Sequence, residues 1–444
     1  MKWRVVLLAT AIAGTGIAVR SHTAPLPAPA AGQTAPAAPA GWYLGFDSNG
    51  NPIRRALKTG HVSNYDEALV RPYTLPDVLK LSDGTPVRDA KTWQNLRRPE
   101  IIRLYESQIF GRVPSNAPKV DWRVTKTDLK AQDGQWVRKQ VLGTAGNGPR
   151  VVRIDLAVYT PAGASNRVPV ILLFGGGTAT PAPVPAAGSP APPPPAQPRA
   201  AGQILARGWG YAVLEKDDIQ PDRPNALSEG IIGLTLAEGQ SQPAGDGDWG
   251  TIYAWAWGIS RAIDYLSSDP AVDPTRIAVY GHSRLGKTAL WASATDERIA
   301  AVFASCSGEM GASLSRRDWG EVVDDMTQNF PYWFARNFQQ WAGRWNDMPV
   351  DAHMLIALSA PRPVFANGGT EDQWADPVGA FLAEVAAGPV YRLLGRKDLG
   401  VTKLPPLDTP LTAGDLGWQY HTGGHTSSPA DWAAFLTFLD KYFK

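Results

Sequence analysis

Ser283 is the residue in this chain best placed by its neighbours to act as a nucleophile. It sits in Tyr280-Gly281-His282-Ser283-Arg284-Leu285-Gly286-Lys287-Thr288, after the apolar run Ile277 to Tyr280 and before the helix-like Ala289-Leu290-Trp291-Ala292. A Gly-x-Ser at a strand-to-helix turn holds a hydroxyl out at the carboxyl edge of a sheet, where backbones pass too closely for a larger neighbour. The usual form has a second glycine two residues after the serine. Here Leu285 stands there and Gly286 comes one later. Acyl transfer by a serine also needs an imidazole base and an acid that orients it, in the chain order serine, acid, histidine. That order is present. Asn367-Gly368-Gly369-Thr370-Glu371-Asp372 follows the strand-like Pro363 to Ala366, and Gly423-Gly424-His425 precedes Ser428-Pro429-Ala430-Asp431, where the last helix begins.

The same turn fits a second pattern without mismatch, because Gly281-x-x-x-x-Gly286-Lys287-Thr288 has the spacing of a phosphate-binding loop. Other features weigh against a nucleotide. Ala301 to Ser307, the run from which a magnesium ligand would come, carries no acid. Arg284 and Leu285 are bulky where backbone amides would have to cradle phosphates. A nucleotide hydrolase is therefore the remote alternative to a serine esterase.

Six histidines compete for the role of base. They are His22, His61, His282, His353, His421 and His425; His22 lies in the leader, His282 adjoins the elbow and is read as pointing away from Ser283, and His353 precedes a buried-looking run. His421 is the serious competitor to His425. The paired glycines before His425 favour it, since they allow the sharp loop that an exposed imidazole needs.

Composition narrows the partners. Over 444 residues, Lys+Arg 43 against Asp+Glu 41 leaves a net charge of +2, which gives no electrostatic footprint for nucleic acid or an anionic membrane. The single Cys306 excludes an internal disulfide and a thiolate metal site, so redox chemistry and structural zinc are not expected. Seventeen tryptophans lean toward a carbohydrate ligand, because indole faces stack on the C–H faces of sugars.

The elements that must position these groups follow from periodicity. Val151 to Tyr159, Val168 to Phe174, Gly210 to Leu214, Ile277 to Tyr280, Val302 to Ala304 and Pro363 to Ala366 read as strands. Arg98 to Phe110, Gln203 to Arg207 and Trp249 to Leu266 read as helices. Such alternation predicts a mostly parallel central sheet with helices on both faces, in a single domain. The basic start Met1-Lys2-Trp3-Arg4 and the apolar Val5 to Val19 mark residues 1–23 as a signal peptide, too short to span a bilayer. Residues 24–41 form an Ala/Pro-rich tether, residues 42–444 the catalytic domain, and residues 178–201 a Pro/Ala-rich surface insertion. The mature chain is expected outside the cytoplasm, secreted or periplasmic, as a monomer without stable membrane association.

The segments Gly281 to Trp291, Ser315-Arg-Arg-Asp-Trp-Gly-Glu321, Ala360-Pro-Arg-Pro-Val364, Glu371-Asp-Gln-Trp-Ala-Asp-Pro377 and Gly424-His425 closely resemble the bacterial glucuronoyl esterases, carbohydrate esterase family fifteen. Asn64-Tyr65-Asp66-Glu67 and Arg97-Arg98-Pro99-Glu100 extend the likeness toward the N-terminus. The resemblance implies an α/β-hydrolase fold and cleavage of the ester between a 4-O-methyl-glucuronoyl branch of xylan and a lignin alcohol, with no metal or cofactor expected. Other carbohydrate esterases, such as those acting on acetyl-xylan, are the alternative. By matched position, Ser283 is the nucleophile, His425 the base, Arg284 an oxyanion donor, and Lys287, Glu321 and Trp374 contact the uronate. One departure stands out. Many relatives carry a catalytic Glu where this chain has Cys306, so the resemblance assigns the acid to Asp372, with Glu371 and Glu309 as lesser candidates.

Overall fold

A computed structural model describes residues 41–146, 150–175 and 200–444. The expected signal peptide, the tether apart from Gly41, and the 178–201 insertion up to residue 199 lie outside them.

A short antiparallel hairpin opens the described chain, β1 (Tyr43–Phe46) with β2 (Pro52–Arg54). The main sheet has nine strands: β3 (Val120–Lys130), β4 (Trp136–Ala145), β5 (Val152–Pro161), β6 (Val168–Phe174), β7 (Gly210–Leu214), β8 (Val272–His282), β9 (Ala301–Ser305), β10 (Val364–Gly369) and β11 (Leu416–His421). Their spatial order is β11-β10-β9-β8-β6-β7-β5-β4-β3. From β7 through β11 every neighbouring pair is parallel, whereas β3, β4 and β5 pair antiparallel and β5 joins β7 the same way.

Chain direction across the sheet reverses at β6. The chain steps from β6 to β7 on one side, then returns to lay β8 on the other. At such a switch point the loops beyond the strand ends diverge and leave a crevice. Ser283 lies immediately past β8, at that crevice.

Residues sort onto the two faces by strict alternation. In β6, Val170, Leu172 and Phe174 join one core cluster while Ile171 and Leu173 join the other. Every residue of β6 is buried, because helices cover both faces. The helices α1 (Arg98–Tyr105), α3 (Thr251–Ser268), α4 (Arg284–Thr295), α5 (Ala352–Ala357) and α6 (Pro377–Leu393) bury apolar faces on the first side. The helices α2 (Ala201–Leu205) and α7 (Pro429–Phe443) cover the second. Helix α7 starts where expected: Ser428 accepts from the Asp431 N–H while Asp431 accepts from the Ser428 N–H, a capping box.

The expected parallel core and two-sided helix cover are present. Several elements differ from the sequence reading. Strands β3 and β4 and the β1–β2 hairpin occupy stretches where no element was expected. The helix expected over Arg98 to Phe110 is α-helical only to Tyr105 and continues as a widened turn, Glu106–Phe110, ended by Gly111 at φ 82°. No helix among the described residues is long and apolar enough to cross a membrane.

Candidate active site

Ser283 stands between β8 and α4 with φ 59° and ψ −128°. A non-glycine residue there carries strain of about 1–3 kcal/mol, which neighbouring contacts must hold in place. They do so tightly. A side chain at position 281 would overlap the Leu285 carbonyl, and one at 286 would come within 2.8 Å of the Ser307 Cβ. Gly286, one residue later than the usual spacing, thus serves the close approach of α4 to the end of β9. The Ser283 N–H donates to the Ser305 carbonyl at 2.8 Å, locking the turn to β9.

Three further loops converge on it. His425, on the loop after β11, places Nδ1 2.7 Å from Oδ2 of Asp372, on the loop after β10. The Asp372 side chain is 5% exposed and the His425 ring 41%, an arrangement with the carboxylate beneath and the imidazole open to the cavity. The other acids are elsewhere. Glu309 is buried and accepts from the Ser315 hydroxyl at 2.5 Å, with burial holding its carboxyl well above the usual range. Glu371 is exposed and meets the Gly423 carbonyl only through its backbone N–H. Cys306 follows β9 at φ 44°, directing its thiol at the Thr426 carbonyl 3.4 Å away.

Lys287, the residue that mimics a phosphate loop, is 3% exposed. Its ammonium donates to the Ser307 carbonyl at 2.6 Å and lies 3.6 Å from Glu321. Burial lowers its pKa, and the charges of Glu321 and Glu309 work against that shift. The Thr288 hydroxyl donates to the Arg284 carbonyl at 3.1 Å. With serine in a tight turn and lysine drawn under the helix, no loop remains to wrap a phosphate.

Trp374 and Glu321 are tied together, since the Glu321 N–H donates to the Trp374 carbonyl at 2.9 Å. Buried ion pairs anchor their loops: Arg317 to Asp376 at 3.0 Å and Arg316 to Asp351 at 3.0 Å. Asp376 in turn accepts from the Gly379 N–H at the start of α6. These pairs give the Ser315 to Glu321 and Glu371 to Pro377 segments their structural purpose.

All seven residues singled out from the sequence, Ser283, Arg284, Lys287, Glu321, Asp372, Trp374 and His425, line one cavity of about 370 Å³. A prokaryotic carbohydrate esterase from an unknown organism is 40% identical over 400 residues, covering 85% of this chain and 92% of its own. A solved glucuronoyl esterase from Solibacter usitatus is 38% identical, with a TM-score of 0.76, covering 84% of this chain and 99% of its own. The chain belongs to the glucuronoyl esterases, carbohydrate esterase family fifteen. A family model described as glucuronyl esterase, fungi, matches residues 244–395, and a 4-O-methyl-glucuronoyl methylesterase of Phanerochaete carnosa is 29% identical over 73% of each chain. The protein is accordingly a carboxylic ester hydrolase of the α/β-hydrolase fold.

This glucuronoyl esterase site also contains residues that the sequence reading did not single out. Arg54, from β2, lies over the Trp374 ring at 3.9 Å and the Trp42 ring at 4.5 Å, forming one wall of the cavity. Phe330 and Trp333, stacked with centroids 3.8 Å apart, form another. His282, read from the sequence as directed away from Ser283, packs against the His425 ring with centroids 4.5 Å apart. Burial, then the neighbouring His425 and His421, push its pKa down to about 3, so it stays neutral beside His425. Its Nδ1 shares a hydrogen bond of 3.1 Å with Ser305.

Proposed function

We propose that this esterase hydrolyses 4-O-methyl-glucuronoyl esters, those joining glucuronoxylan branches to lignin alcohols, through an acyl-enzyme on Ser283. The observation that carries this reading is the shared cavity, in which a strained serine and a His425–Asp372 pair face a buried ammonium, a carboxylate and an indole suited to a sugar.

In this reading His425 takes the Ser283 proton as the oxygen attacks the uronate C6 carbonyl. Asp372 holds the imidazole in the tautomer with its proton on Nδ1 and stabilises the imidazolium. The tetrahedral oxyanion meets the Arg284 guanidinium and backbone N–H. One good oxyanion donor contributes about a hundredfold to a thousandfold in rate. His425 then returns the proton to the leaving alcohol, and water, deprotonated by the same imidazole, attacks the acyl carbon and releases the uronic acid and Ser283.

Selectivity falls on the acid side of the ester. Lys287 and Glu321 offer hydrogen bonds to sugar hydroxyls beside the Trp374 ring, and a site built to pair with such groups rejects analogues lacking them. Residues 1–23 direct export, residues 24–41 tether the 42–444 domain, and the exported enzyme works as a monomer, secreted or periplasmic.

The test compares hydrolysis of benzyl glucuronate with that of an acetylated sugar, for wild type and Ser283→Ala. Wild type is expected to favour the uronate ester, and Ser283→Ala to lose both activities. Preference for the acetate overturns the substrate assignment; full activity of Ser283→Ala overturns the mechanism.

A further inference from the structure

Four side-chain donors converge on one buried carboxylate beside the site. Asp222, on the loop beyond β7, is 6% exposed. Its Oδ2 lies 2.7 Å from Arg284 Nη1 and 3.4 Å from Lys216 Nζ, and its Oδ1 accepts from Trp333 Nε1 at 2.8 Å and the Tyr332 hydroxyl at 3.1 Å. The Trp333 ring that donates this N–H also lies under the Arg284 guanidinium, 4.8 Å from its centroid, with Phe330 at 5.7 Å. One aromatic segment therefore holds both the carboxylate and the cation.

An arginine side chain has about 2 kcal/mol of rotamer entropy, so a partly exposed one does not stay aimed without an anchor. Arg284 is 37% exposed at its side chain. Asp222 and the Trp333 face supply the anchor on two sides. An anchoring carboxylate alone would cancel the charge it positions. Lys216, 3.4 Å from the same carboxylate, offsets part of that charge and is itself paired with the exposed Asp217 at 2.8 Å.

We infer that Asp222 is a positioning residue that aims the Arg284 guanidinium at the reacting carbonyl. The inference rests on the oxyanion reading of Arg284 given above. Because Asp222 acts through Arg284 and touches no substrate, removing its charge slows the chemical step and leaves sugar binding alone.

The experiment is a double-mutant cycle on benzyl glucuronate with Asp222→Asn and Arg284→Ala, together with the rate of Ser283 labelling by an organophosphonate and thermal unfolding of each variant. Asp222→Asn is expected to lower kcat and labelling by about 10- to 100-fold with KM changed less than about threefold, and to add less than about threefold once Arg284 is Ala. Trp333→Phe keeps a smaller aromatic face but removes one donor to Asp222. It is expected to lower kcat by about three- to tenfold with the same dependence on Arg284, which keeps the test open if Asp222→Asn does not fold. Additive losses, a rise in KM with kcat retained, or unchanged kcat in the Asp222 or Trp333 variant overturns the inference while leaving the reading of Arg284 intact. If Arg284→Ala itself keeps full kcat, the oxyanion reading falls and takes this inference with it.

Discussion

His425 and Asp372 meet because the strands beneath them are parallel neighbours. Gly369 and His421 are the last paired residues of β10 and β11. Short loops past those two ends bring Nδ1 and Oδ2 to 2.7 Å. Asp372→Asn is therefore expected to lower kcat by a factor on the order of 10³ to 10⁴, since the amide favours the wrong imidazole tautomer. Glu371→Gln and Glu309→Gln are expected to stay within about threefold of wild type in kcat, because neither carboxylate touches the imidazole. Steady-state hydrolysis of benzyl glucuronate decides; a larger loss for either glutamate would move the acid.

Cys306 occupies the strand end next to that pair. Its sulfur, an oxygen of Asp372 and a nitrogen of His425 lie within 4.8 Å of one another. A carboxylate introduced there reaches the same imidazole from β9 instead of β10. Cys306→Glu is expected to restore at least about tenfold of the kcat lost in Asp372→Asn, whereas Cys306→Ala restores none. Equal activity of Asp372→Asn with and without Cys306→Glu would show that the two strand ends are not interchangeable as acid positions.

What was legible before the structure divides along physical lines. Strand β6 is plain in the sequence because both of its faces are buried and every residue is apolar. Strand β3 is not, because Val120–Lys130 lies at the sheet edge and interleaves charges with its apolar residues. The serine, acid and base were readable as an order of residue types along the chain. Glu321, Lys287 and Trp374 came only through family likeness, since nothing in a local pattern marks a sugar contact. Asp222 lies in Gln220-Pro221-Asp222-Arg223-Pro224, which reads as a turn, and Arg54 in a hairpin far along the chain from Trp374. Their roles arise from contacts that no spacing encodes.

The buried ammonium of Lys287 faces both Glu321 and the cavity, which supports its proposed role in binding sugar hydroxyls. Lys287→Met is expected to lower kcat/KM for benzyl glucuronate by about 10- to 100-fold, the scale of a hydrogen bond to a charged group. Hydrolysis of p-nitrophenyl acetate, which lacks the sugar, is expected to change less than about threefold. Equal losses on both substrates would mean that the lysine supports the fold of the elbow and not the sugar.

His421, the last residue of β11, bonds two acceptors, Asp431 Oδ1 at 3.1 Å and the Gly424 carbonyl at 3.1 Å. Both are satisfied only by the doubly protonated ring. Burial opposes that charge, but the hydrogen bond and charge of Asp431, aided by the Gly424 carbonyl, outweigh it and raise the pKa above 6.5. A folded value above the unfolded one gives stability that is complete below pH 6.5 and lost as pH rises through the raised value. Thermal unfolding from pH 5 to 9 is expected to show wild type losing stability faster with rising pH than His421→Gln. Parallel curves would show that the ring is neutral in the fold.

Glu384, on α6, is wholly buried, and neither carboxylate oxygen has a partner among the described residues. Burial raises its pKa well above 4.5, so the folded chain keeps it protonated while the unfolded chain ionises it. Its linkage therefore favours folding least at high pH: the contribution is intact below pH 4.5 and declines as pH climbs toward the folded value. Glu384→Leu removes both the unpaired polar atoms and the titration, and is expected to stabilise the protein by about 1–3 kcal/mol at pH 8. The gain is expected to be smaller at pH 5, where less of the unfolded chain is ionised. Urea unfolding of wild type and variant at the two pH values measures it. A gain that does not change with pH would leave only the unpaired oxygens as its cause, and no gain at either pH would mean that the carboxylate is satisfied in solution.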